Sequence, residues 1–251
     1  MKQTCNPLHP SNNEKDFIVH FSLFIVHFFL LLIANTPLLF AQNSDWSLWT
    51  SINAEKKLSK NWELGIGTEF RWKDNISATD QIRGSADVSR KMGKYVKLGA
   101  GYVFIADKKV KKDIFEYRNR FLLQATGSYE YARFTASWRT RLQLTLLETN
   151  EPRGDLFDDD SFKWVWRNRF GLKYNIKGLP LKPYANIELF HHIFSGQDDT
   201  PGYYQNRFSA GIEYKLAKQH TFEAGYKLET EVDNVRKYKN NIVKLGYTFS
   251  F

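Results

Sequence analysis

The sequence predicts an all-β fold: an antiparallel transmembrane β-barrel of about 10 to 12 strands, of the outer-membrane type, preceded by a signal peptide. Three observations predict it. Apolar residues alternate with polar ones over runs too long for soluble strands, the connections alternate between tight and long, and a single apolar stretch is confined to the N-terminal end. The negative mean hydropathy argues against a helical membrane protein. It suits a barrel, whose strands show one face to lipid and the other to water, so that half their residues stay polar.

The N-terminal stretch from Phe17 to Phe40 is dominated by Phe, Leu, Ile and Val, with Lys2 and Lys15 upstream and Ala41 at its end. That order is the one of a secretory signal, with cleavage after Ala41. The competing reading is a membrane anchor, but His20, His27, Asn35 and Pro37 interrupt the stretch and disfavour a stable spanning helix. The expected division is therefore a signal peptide over residues 1–41 and one barrel domain over residues 42–251. The chain has 36 Lys and Arg against 27 Asp and Glu, a formal charge of +9, and the leader removes two of each (Lys2, Lys15, Glu14, Asp16), leaving that excess unchanged. The bases are scattered among strands with no basic block, so no nucleic-acid partner is expected. The single cysteine, Cys5, precedes the apolar stretch, which leaves the mature domain without disulfides or thiolate metal sites.

The first strand is Trp46 to Ala54. The second, Trp62 to Lys73, places Trp62, Leu64, Ile66, Thr68, Phe70 and Trp72 on one face and Glu63, Gly65, Gly67, Glu69, Arg71 and Lys73 on the other. Its period of two holds for twelve residues, about twice a soluble strand and close to the roughly 9 to 11 needed to cross a bilayer at a tilt. A further strand lies between the connections at Asp74–Thr79 and Gly93–Lys94. The outward sets then continue with Val96, Leu98, Ala100, Tyr102, Phe104; Phe115, Tyr117, Phe121, Leu123; Phe134, Ala136, Trp138, Leu142, Leu144; and Phe162, Trp164, Trp166, Phe170, Leu172, Tyr174. Later sets are Ala185, Ile187, Leu189; Phe208, Ala210, Ile212, Tyr214; Phe222, Ala224, Tyr226, Leu228; and Val243, Leu245, Tyr247, Phe249, Phe251. No comparable helical period appears.

Tight connections are expected at Ser59–Asn61, Gly93–Lys94, Ser128–Tyr131, Lys177–Leu181 and Lys218–His220, with longer ones at Asp74–Thr79, Asp107–Lys112, Glu148–Ser161, Ser195–Gly202 and Asp233–Lys237. Short periplasmic turns opposite longer outside loops are the outer-membrane habit. This division gives about eleven strands, and since bacterial single-chain barrels have even numbers, either the first segment is no full wall strand or one strand is hidden. Aromatics gather at both strand ends, Trp62, Tyr131, Tyr174, Tyr184 and Phe251 near the tight turns and Trp72, Phe104, Phe115, Trp164 and Phe194 near the long loops, as membrane interfaces select. The terminal Phe251 has the form read by the barrel-assembly machinery, an expected partner beside outer-membrane lipid.

The inward faces carry Arg118 and Arg120, Arg139 and Arg141, Arg167 and Arg169, then Arg207. Three consecutive strands each present an arginine pair at i, i+2, which puts both members on one face. With Glu69, Arg71, Glu188 and Glu229 at similar distances from the tight turns, they form an expected charged belt inside the barrel towards its outer end. It is either an ion-pair plug of a narrow lumen or a basic constriction selecting anions. No catalytic constellation is present: Glu188 and His192 share a face but stand about 13 Å apart at i, i+4 in a strand, His191 points to the other side, and His220 sits in a turn. No enzyme, cofactor or metal is expected, although Asp155, Asp158, Asp159 and Asp160 share the longest loop with Glu148 and Glu151 and lack the ligand order of a calcium loop.

The opening segment LWTSINAEKKLSKNWELG, the hairpin GKYVKLGAGYVF at Gly93–Phe104, the repeated YRNRFLL at Tyr117 and WRNRFGL at Trp166, KPYANIELF at Lys182–Phe190 and NRFSAGIEYKL at Asn206–Leu216 resemble the family catalogued as domain of unknown function 2490. The likeness spans nearly the whole mature chain. It implies an outer-membrane barrel of a Gram-negative cell and an arginine belt shared by the family; it implies no activity, since fold analogy does not supply one. The expected role is a small porin-like channel with an arginine-rich lumen, against a non-conducting structural or ligand-binding barrel acting through its outside loops on an unidentified ligand, with an outer-membrane enzyme a more distant alternative.

Overall fold

The computed structural model describes residues 44–109, 113–147, 162–195, 201–231 and 239–251. The leader expected over residues 1–41, the acidic loop Asp155–Asp160 and most of the loops beginning at Ser195 and Asp233 lie outside the described residues. The described chain is all β, with eleven strands: β1 (Ser44–Lys57), β2 (Trp62–Lys73), β3 (Ala78–Met92), β4 (Val96–Lys109), β5 (Ile114–Tyr131), β6 (Phe134–Leu147), β7 (Phe162–Tyr174), β8 (Leu181–Ser195), β9 (Gly202–Leu216), β10 (His220–Glu231) and β11 (Lys239–Ser250).

Each strand pairs antiparallel with its sequence neighbour, and the ring closes between β1 and β11, which run parallel. That pairing answers the parity conflict of the sequence. β1 is a full wall strand of 14 residues, the count is odd, and an odd meander necessarily brings its first and last strands together in the same direction. The seam is continuous from Ser44 opposite Lys239 to Glu55 opposite Ser250. Beyond it Phe251 N–H donates to Glu55 O at 2.9 Å and Lys57 N–H to Phe251 O at 3.3 Å. With every ladder paired, the sheet has no free edge.

Two local expectations are corrected. β5 runs on to Tyr131, and the turn expected at Ser128–Tyr131 is instead the two residues Ala132 and Arg133, because Tyr131 pairs directly with Phe134. Ala132 adopts φ 52° there, the left-handed conformation that two-residue hairpins demand. Tyr184 does not join the outer aromatic ring. It shares the inward face of β8 with Glu188, lies over Gly211 and Gly225, where any Cβ would collide with its hydroxyl, and donates to Glu223 Oε1 at 2.5 Å.

The polarity of the molecule is inverted relative to a soluble protein. The buried hydrophobic residues are few (Trp49, Ile105, Leu122, Val165, Phe190 and Ile242), while buried polar ones include Asp107, Gln143, Glu188, His192 and Gln205. The exterior carries the large apolar side chains, with Ile52 59% and Leu123 62% exposed beside Ile66, Trp138, Phe170 and Phe208.

Candidate functional site: a cationic cavity inside the barrel

The alternation that turns Leu, Phe and Trp outward turns the intervening residues into the lumen, where they line a cavity of about 740 Å³. The structure places all eleven belt residues of the sequence reading, Arg118, Arg120, Arg139, Arg141, Arg167, Arg169, Arg207, Glu69, Arg71, Glu188 and Glu229, on this lining. Arg83, Lys163, Lys227 and Lys244 join them, with Asp80, Asp87 and Glu231. Twelve cationic side chains thus face six acidic ones, so the cavity is a region of positive potential.

Glu188, on β8, is the hub. Its carboxylate meets Arg167 at 2.8 Å, Arg139 at 3.3 Å and Arg207 at 3.3 Å, drawing together side chains from β6, β7 and β9. Arg207 also donates through Nε to Glu229 Oε2 at 2.7 Å. On the other side of the seam Glu69 holds Arg71 at 2.6 Å and Arg83 at 3.7 Å. Arg118 pairs with Asp107 of β4. The nearest members of the β5 and β6 pairs, Arg120 and Arg141, stand four residues apart along the ladder, since Arg120 faces Thr145 and Arg141 faces Gln124. Accordingly Arg120 Nε donates to Thr145 Oγ1 at 2.9 Å, and Arg141 Nη2 donates to Gln124 Oε1 at 2.6 Å.

Two aromatic side chains that the search for charges passed over stand among the cations. Trp49, on the inward face of β1, carries the Arg71 guanidinium 3.3 Å from its ring centre, with Lys227 at 4.9 Å and Arg207 at 5.2 Å. Phe190 of β8 receives Arg167 at 4.5 Å and Arg207 at 4.9 Å. Cation–π stacking of this kind holds guanidinium groups flat against a wall. The signal for Trp49 was legible as parity, since it falls in step with Ser47 and Ser51, both inward.

The histidines divide as their positions suggested. His192 is buried on the lumen side against Tyr204, with ring centres 3.8 Å apart, while His191 lies with Trp166 and Tyr203 on the outer face. His220 opens β10, its Nδ1 2.8 Å from Tyr247 Oη. Among the described residues no cluster of three His, Cys, Asp or Glu side chains has the arrangement of a metal site.

The sequence matches the family model described as "Protein of unknown function (DUF2490)" over residues 46–240. A comparison with curated proteins finds no match.

Proposed function

We propose that this chain, which belongs to the DUF2490 family of proteins of unknown function, is an integral outer-membrane barrel whose cationic lumen gives small anions a narrow passage. The observation that carries the membrane half is the inversion of polarity: a closed sheet with Ile52, Ile66, Leu123, Trp138 and Leu172 exposed outside and ion pairs within. In water such a surface invites association; in hydrocarbon it meets a solvent of its own kind, and closure leaves no sheet edge towards lipid.

The few polar side chains on the outer face support the same reading. Tyr102 Oη donates to Asn119 Oδ1 at 2.5 Å, Trp138 Nε1 to Asn168 Oδ1 at 3.1 Å, Trp166 Nε1 to Thr140 Oγ1 at 2.7 Å and Tyr226 Oη to Asn241 Oδ1 at 2.6 Å. Each pair joins neighbouring strands. Water would satisfy these groups without help, whereas lipid cannot, so mutual pairing is what an apolar solvent selects.

The excess of arginine over acid along the cavity supports anions as the solute, since charged rings set pore selectivity. Eleven strands give a bore between that of eight-stranded barrels, filled by their own side chains, and that of wide porins, which suits a narrow passage. One observation favours a second reading, a non-conducting barrel acting through its long outside connections: Trp49 and the guanidinium groups stacked on it occupy the lumen itself. No catalytic role is proposed, and Phe251, which follows β11 and hydrogen-bonds to the backbone of β1, is taken as the handle for the barrel-assembly machinery.

The test is planar-bilayer conductance of the mature protein under a potassium chloride gradient. Stable steps with an anion-selective reversal potential, weakened by Arg139→Ala and Arg167→Ala, are expected. Insertion without conductance would replace the passage with the second reading, and release of the protein from membranes by alkaline carbonate would remove the membrane assignment itself.

A further inference from the structure

We infer that the lumen contains a binding site for a phosphate-type oxyanion, inorganic phosphate or a phosphomonoester, at a square of arginines formed by Arg139 and Arg141 on β6 and Arg167 and Arg169 on β7. The inference deepens the proposed function, on which it rests only in taking the cavity to be water-filled.

In the ladder between the two strands Arg139 stands directly opposite Arg169, and Arg141 directly opposite Arg167. Directly opposed like charges oppose pairing, and here two such pairs sit one above the other on the inward face. The same row continues across the wall with signs that alternate as a structural network requires. Arg169 faces Glu188, Glu188 faces Arg207, and Arg207 faces Glu229. The alternation fails only at the square.

Protein acids do not make up the deficit among the described residues. Glu188 is shared by Arg139, Arg167 and Arg207, Arg141 is held by the neutral Gln124, and Arg169 has no hydrogen bond or ion pair among the described residues. The ladder rows on either side are neutral: Gln143 opposite Val165 above, Ser137 opposite Gly171 below. At Gly171, beneath Arg169, the place of a side chain is taken by the neutral Asn186 and Ser137. Arg167 Nε is buried and lacks a partner, although its Nη1 reaches Gln143 at 3.1 Å.

Four guanidinium groups at strand spacing, all lining one cavity, present planar N–H forks from two sides. Tetrahedral oxyanions accept such forks bidentately, which a chloride ion does not. A carboxylate fills one fork; a phosphate dianion engages several at once and offsets more of the excess charge. The closed wall separates the square from lipid headgroups, so the ligand enters along the bore as a solute.

The experiment is thermal unfolding and calorimetric titration of the micelle-folded mature protein with inorganic phosphate, with glycerol phosphate, and with chloride at matched ionic strength. Phosphate is expected to raise the melting temperature in a saturable way beyond chloride, as a ligand of the native state must. Arg141→Gln with Arg169→Gln is expected to fold with unchanged strand content by circular dichroism and to lose about tenfold or more in phosphate affinity. Lys60→Gln, in an exposed turn, should bind as the parent does. Saturation by inorganic phosphate alone would assign the free ion, and saturation by glycerol phosphate too would assign monoesters. A phosphate response equal to that of chloride overturns the site; so does a double variant that is destabilised in phosphate-free buffer, since that outcome assigns the arginines to the fold. Binding is read here without conductance, so a silent barrel that still binds phosphate would discard the passage and keep the site.

Discussion

At Glu188 three guanidinium groups converge on one carboxylate, and the residue stands 6% exposed inside a cavity otherwise rich in cations. Replacing it by Gln keeps the shape and removes the charge that Arg139, Arg167 and Arg207 share. Breaking a buried pair by removing one partner typically costs about 3 kcal/mol; the expected result is a lower urea midpoint for Glu188→Gln in micelles, together with a reversal potential shifted further towards anions. A midpoint equal to that of the parent would mean that lumen water, rather than Glu188, neutralises the arginines. The arginines themselves were legible from spacing, because a period of two fixes the face of every side chain once one is known. Their bonding was not. Asp107, the partner of Arg118, lies within what reads as a connection at Asp107–Lys112 and belongs instead to β4, and Trp49, the platform under Arg71, is of a residue type that a search for charge passes over.

At the scale of the strand, the outward face of β7 alternates Trp166, Asn168 and Phe170, and the buried Asn168 is satisfied by Trp138 from β6. Trp138→Phe keeps the apolar contact and deletes the donor. In a bilayer the orphaned Asn168 should cost about 1 kcal/mol, and Asn168→Leu in the Trp138→Phe background should recover it, as measured by reversible unfolding in lipid vesicles. Were the face hydrated, the single change would have almost no effect and the second change would recover nothing. Strand existence and facing were readable because alternation over twelve or more residues is a strong periodic signal. The end of β5 was not, since Ser128 and Glu130 look like turn residues until the register places Tyr131 against Phe134. Tyr184 likewise looked like an interface aromatic near a turn, and only Gly211 and Gly225 beneath it on neighbouring strands make room for it inside.

For the whole molecule, the decisive contact is the parallel seam between β1 and β11. Thr50 lies opposite Leu245 across it. Cysteines at both positions should form a disulfide in the folded barrel, visible as altered mobility on a non-reducing gel, and should raise stability by up to about 4 kcal/mol because the cross-link closes a loop of nearly the whole domain. Failure to cross-link in the folded protein would mean that β1 does not complete the wall. Residues 42–251 contain no native cysteine to confuse the result.

Alternation and composition alone determined the class of fold, the facing of most strand residues, the order of short and long connections, and the residues of the charged belt. All of these follow from local geometry, because side chains in a strand alternate whatever the strand pairs with. Closure, register and partnership were decided only by the tertiary structure. Whether an eleventh strand completes the ring, which arginines are matched with acids, and which stand against one another across a ladder depend on pairing between segments as distant as β1 and β11. A one-residue change of register would reverse every facing, and alternation along single strands holds no record of which neighbour stands opposite.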